Sequence, residues 1–174
     1  TDNTVLEGSE IVETGPGAEV VFVVGKDAVL VRQSSRVQLL AERSGFLNAL
    51  RLATCALMSV FGRAGRRVET PNATIGIRGT GVYTEVDADK TYFCTCYGQT
   101  DIAATNESRE TSSQQTHHHD APKFIHVAPR AGRSIYPAPM LNHSDEELTL
   151  IEALVGRKPP FFTPDDAYGP ARRR

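Results

Sequence analysis

The sequence predicts a mainly β protein, and three observations carry that reading. Short apolar or alternating runs recur between turns built from Gly, Pro, Asn, Asp and Ser. Fourteen glycines and ten prolines in 174 residues suit a turn-rich chain. The clearest alternation, over residues 73–77 and 82–86, leads through Asp87-Ala88-Asp89-Lys90 into an aromatic and β-branched run at 91–97. That stretch reads as a hairpin. Gly76, Gly79 and Gly81 interrupt its first strand and mark a bulge or a close backbone approach.

The other elements follow in order. Residues 1–9 are a polar lead-in. Residues 11–40 form a β-meander with strands at 11–12, 18–24, 28–32 and 36–40. Its turns are Thr14-Gly15-Pro16-Gly17, Gly25-Lys26-Asp27 and Gln33-Ser34-Ser35. Short strands so connected suggest a sandwich, roll or solenoid. Residues 46–61 (FLNALRLATCALMSVF) are apolar nearly all round and free of Pro and Gly. They are expected to form a helix capped by Ser44 and stopped by Gly62. A helix of that length cannot cross a bilayer, so it packs on the sheet or docks on a membrane surface or a partner. Cys55 within it reads as a small buried apolar residue. Residues 100–104 extend the sheet, 106–116 read as a polar loop, and 123–127 as a strand. Residues 130–139 read as a connection. Ser144-Asp145-Glu146-Glu147 is a capping box that opens a helix with Leu148, Ile151, Leu154 and Val155 on its apolar face. Gly156 ends it and Lys158-Pro159-Pro160 prevents its continuation. Phe161-Phe162 is expected to dock on the core, and the tail from Thr163 to be mobile.

The length allows one domain with a real core and an appendage, here divided at 1–104 and 105–174. A net charge of -2 gives no global attraction to nucleic acid or anionic lipid, and Arg172-Arg173-Arg174 reads as a solvated end. No leader or apolar span is visible, so the chain is expected to be cytoplasmic or already processed. Cys94 and Cys96 stand on one face of their strand. A disulfide between them would close a strained ring, so thiolate chemistry or metal is the economical use of the pair.

Residues 7–104 resemble the FecR-type domain, named for the ferric-citrate regulator. The resemblance rests on Glu69-Thr70-Pro71-Asn72-Ala73-Thr74-Ile75-Gly76-Ile77-Arg78-Gly79-Thr80, on Val82-Tyr83-Thr84-Glu85-Val86, and on the entry GSEIVETGPGAEVVF. It implies an all-β module of the bacterial periplasm or envelope, with its signal peptide removed before Thr1, that serves in signalling or binding and not as an enzyme. The helix at 46–61, the strand YFCTCYG and the region after residue 104 depart from the pattern. The later region resembles an extension of some proteobacterial FecR-like proteins, in which CxCYG, His-His-Asp and Asn-His-Ser/Thr-Asp recur together.

All five histidines lie downstream of the cysteine pair. Two thiolates and two imidazoles complete a four-ligand set for zinc, copper or a mixed-ligand [2Fe–2S] centre. The expected ligands are Cys94, Cys96, His118 and His143, with His117, His119 and His126 as alternatives and Asp120 as carboxylate support for an imidazole N–H. Copper or [2Fe–2S] is favoured and zinc is possible. Tyr92, Phe93 and Tyr97 would shield the centre. The competing readings are core cysteines with a polar histidine loop, and a redox-active dithiol. No GxSxG, HExxH, P-loop or Rossmann fingerprint is present, which argues against an enzyme. The rival function is a metal-free module acting through a protein partner or self-association, by strand pairing or helix docking. Arg78 is expected to pair with Glu69 or Glu85.

Overall fold

The computed structural model describes residues 9–41 and 47–162. Residues 1–8, the Ser44 cap and the tail from Thr163 lie outside them. The fold is mainly β: among the described residues there are eleven strands in one mixed sheet, and one helix. The strands are β1 (Ile11–Glu13), β2 (Val20–Val24), β3 (Asp27–Val31), β4 (Arg36–Ala41), β5 (Leu47–Val60) and β6 (Gly65–Thr70). Then come β7 (Ala73–Val86), β8 (Lys90–Ala104), β9 (Thr111–Thr116), β10 (Lys123–Arg130) and β11 (Arg133–Pro137), followed by α1 (Asp145–Leu154).

The three long strands each change partner part-way. Up to Thr54, β5 pairs with β4 and, in parallel, with β6; from Cys55 on it pairs with β3 and β7. The first half of β7 pairs with β6 and its second half with β5. The first part of β8 pairs with β10 and its last part with β9. Each switch sits at a left-handed residue: Cys55 (φ 56°), Gly79 (φ 57°) and Gly98 (φ 90°). Gly79 and Gly98 stand side by side and crease the β7–β8 pair, whereas Cys55, opposite Val86, bends β5 at the other end of its pairing with β7. Each bulge also shifts the inward alternation by one residue. Ile75 and Ile77 point into the same core as Val82, Leu50 and Leu52 into that of Leu57, and Phe93 into that of Ile102.

That geometry explains why 46–61 is strand and not the expected helix. Past Cys55, β5 is covered on both faces. Leu57 faces the core inside the fold, while Ala56, Met58 and Val60 face a second cluster under α1. A strand buried on both sides carries apolar residues without alternation, as a buried helix does. The parity shift at Cys55 removes what alternation remained, and Cys55 is a half-exposed bulge residue rather than a buried one.

Two further expectations are corrected. Residues 111–116 form β9, because Gln114 and Thr116 bury polar side chains that bond to Thr95 and Ala121. Residues 133–137 form β11, held where Glu110 accepts the Ser134 and Ile135 N–H groups at 2.7 and 2.9 Å. Strands β8 to β11 continue one sheet across residue 104. Arg78 is exposed and pairs with neither expected acid; Glu69 takes Arg51 and Arg67, and Glu85 takes Tyr83 Oη and Asn142.

The capping box of α1 forms as expected: Ser144 Oγ accepts the Glu147 N–H, and the Glu147 carboxylate accepts the Ser144 N–H. Leu148 and Ile151 are fully buried over β3 and β5, whereas Leu154 is exposed. Burying a leucine or isoleucine so completely contributes about 1.5–3 kcal/mol. Among the described residues, no helix is long and apolar enough to cross a membrane.

Candidate metal centre

Alternation along β8 decides which side chains reach the α1 face. Tyr92, Cys94 and Cys96 face α1, and Phe93 points the other way, into the inner core. Phe93 therefore shields nothing here. Both thiols are buried.

The His-rich turn is folded by Asp120. Its carboxylate accepts the backbone N–H of His117 and of His118, at 2.8 and 3.2 Å. Asp120 thus builds the turn and supports no imidazole. His119 then adopts a left-handed conformation (φ 50°) and donates its N–H to Cys96 O at 2.8 Å. This turns the third imidazole inward, and His119 is the buried member of the triplet while His117 and His118 are exposed. His119, not His118, joins the cysteines. His126 stands elsewhere, against the edge of Tyr136 on β10.

His143 enters from the segment before α1 and stacks on Tyr83 with ring centroids 4.6 Å apart. Tyr92 anchors that segment by accepting the Leu141 N–H at 3.0 Å. Tyr97 packs on Phe161.

The four ligand atoms of Cys94, Cys96, His119 and His143 lie within 4.8 Å of one another. Cys94 Sγ is 3.3 Å from His119 Nδ1, which is 3.1 Å from His143 Nε2. The outer nitrogens are engaged by groups that only accept. His119 Nε2–H donates to Asp145 Oδ1 at 2.9 Å, and His143 Nδ1–H to Leu141 O at 2.5 Å. The inner nitrogens are thereby left as lone-pair donors that face each other and a sulfur. Carboxylate and carbonyl contacts of this kind orient imidazole ligands. Asp145 also accepts from His118 Nε2 at 2.7 Å. Sequence reasoning saw Asp145 only as a helix-end carboxylate; its position two residues after His143 was the available signal.

Before any metal binds, the electrostatics favour a Cys94 thiolate beside a protonated His119, and a metal would displace that proton. The Cys96 hydrogen bond, then His119 and His143, hold the Cys94 thiol well below its ordinary range despite burial. Burial drives Cys96 well above it. Burial opposes charge on His119, but Asp145 and Cys94 outweigh it and raise that imidazole to about 9.

The Cys94–His119 and His119–His143 spacings match those around one tetrahedral ion. Bond lengths of about 2.3 Å to sulfur and 2.0 Å to nitrogen place S and N about 3.5 Å apart and two nitrogens about 3.3 Å apart. A two-iron cluster would need two metals and two sulfides between thiolates and imidazoles that here nearly touch. An ion held by all four would have no position left for substrate.

No protein-family model matches this sequence. No curated protein sequence is significantly similar to it. The fold is similar to two crystal structures of a "putative anti-sigma factor" from Parabacteroides distasonis. One has a TM-score of 0.59 at 8% identity and the other 0.58 at 7%. Each alignment covers 74% of this chain and 59% of that one, so the chain spans under two thirds of their length. At such identity the likeness concerns the fold.

Proposed function

We propose that this is a non-enzymatic protein in which a single metal ion, held by Cys94, Cys96, His119 and His143, clasps the C-terminal segment onto the sheet. The observation that carries this reading is the pair of imidazoles whose outer nitrogens are tied off and whose inner lone pairs converge on a buried thiolate. Two thiolates with two imidazoles in a closed tetrahedron suit zinc. Blue copper sites use a single thiolate. Zinc here is structural: it joins β8, the His119 turn and the entry to α1. The resemblance to FecR-type domains supports a periplasmic or envelope location and work through protein partners or self-association. The fold shared with an anti-sigma factor supports the same theme, and nothing supports nucleic acid as a partner.

The test is elemental analysis with an absorption spectrum, on protein purified without a His tag. One zinc per chain and a colourless solution are expected, with loss of zinc in C94S/C96S. Stoichiometric copper, or two irons with sulfide, would replace the structural clasp by an electron-transfer centre.

A second reading is favoured by the charges themselves. A Cys94 thiolate beside a His119 imidazolium is satisfied as an ion pair, and a metal-free signalling or assembly module would need nothing more. Absence of any metal, with Cys94 more reactive to thiol reagents than Cys96, would establish it.

A further inference from the structure

A second feature lies beside the clasp and uses none of its ligands. At the crease, Gly79 and Gly98 adopt left-handed conformations, and a Cβ on Gly98 would lie 2.6 Å from Thr80 Cγ2. With Gly62 they leave a stretch of floor bare of side chains. Over it opens a cleft of about 690 Å³, a size that suits a small organic ligand. Phe61, Tyr97 and Phe161 supply its apolar surface. Bulges that bend a strand beside a hollow recur at functional sites.

The polar lining is one-sided. Lys26, Arg63, Arg157 and Lys158 line the cleft against the single carboxylate of Glu152. That carboxylate is already bound by Arg157 Nε at 2.7 Å. Lys26, Arg63 and Lys158 form no ion pair among the described residues. Arg157 Nη1 donates to Lys26 O, while its Nη2 is buried with no acceptor among them. An orphaned guanidinium donor in a basic cleft calls for an anionic oxygen.

We propose that this cleft binds a small organic anion with a flat apolar body, of which an aromatic carboxylate is the type. The carboxylate meets Arg157 and the flanking cations, and the ring lies against Tyr97 and Phe161. The binding does not require a metal in the clasp.

The test is calorimetric titration of the full chain with naphthoate, naphthyl phosphate, inorganic phosphate and the neutral naphthalenemethanol. Saturable binding of the aryl anions is expected, with inorganic phosphate and the neutral alcohol at least about tenfold weaker. Whichever aryl anion binds tighter identifies the preferred head group. R63Q and K158Q change exposed side chains, so circular dichroism should match the parent. Each is expected to weaken the aryl anion about threefold, and added salt to weaken it further. The proposal is overturned by no saturable binding at millimolar ligand, by an unchanged affinity in the R63Q/K158Q double variant, or by an alcohol or inorganic phosphate that binds as well as the aryl anion.

Discussion

His119 and His118 are adjacent and chemically identical, yet the fold gives them opposite settings. His119 is buried with its Nδ1 on Cys94, while His118 is exposed, packs on Phe161 and hydrogen-bonds Asp145. H119Q should therefore abolish metal retention, whereas H118Q should leave one equivalent bound, as read by elemental analysis. The triplet could not be resolved from sequence because selection depends on one left-handed φ, set by Asp120 and Cys96 O. Sequence did place both cysteines and His143, since strand alternation and a helix cap are local rules. A second residue worth testing is Glu110. The N–H of Ile135, then that of Ser134 and Arg133, hold its carboxyl below the ordinary range. A depressed carboxyl stabilises the fold above its ordinary titration range and loses that contribution as pH falls through its folded value. Because Glu110 is only partly buried, E110Q should cost only about 1 kcal/mol at neutral pH. The difference should fade in acid, as measured by urea denaturation.

At the scale of elements, α1 was legible in its limits, though not in the exposure of Leu154, and β5 was not. The helix carries its own punctuation, Ser144 with Glu147 at the start and Gly156 (φ 70°) at the end. Replacing Ser144 by Ala should cost about 1 kcal/mol in a denaturation experiment. Strand β5 carries no such marks, and its second half has apolar neighbours on both faces. Only knowledge of what covers each face distinguishes it from a helix. The interlock of helix and sheet is testable at Gly81. A Cβ there would stand 2.6 Å from Tyr97 Cε1 and 2.9 Å from Leu148 Cδ1. G81A should lower the denaturation midpoint by an amount equivalent to about 1–3 kcal/mol. It should also raise amide exchange across α1 more than across β7.

For the whole molecule, the fold has two cores, and the proposed clasp would bear on them differently. The inner core gathers residues from β3 to β8 and from β10 and β11, and holds none of the candidate ligands. The second core lies beneath α1 and the segment carrying His143. Removing the ion should lower the melting temperature and expose residues 138–162 to proteases first. Binding at about a thousand times the dissociation constant contributes about 4 kcal/mol. Retention of the melting temperature after chelation would show that packing alone holds the segment. The mainly β class was readable because turn chemistry is local. The crease was not, because it exists only where β7 and β8 bend together at Gly79 and Gly98.

The ligands also have an order in time. The cysteines leave the ribosome first, His119 follows Cys94 by 25 residues, and His143 follows by another 24. All eleven strands end before His143, the last of them at Pro137. An ion held by the full set can therefore act only on a chain whose sheet is already synthesised, and it seals assembly rather than starting it. A chain cut just before residue 143 would carry every strand and still lack the seal, so its metal content would tell an unfinished molecule from a finished one.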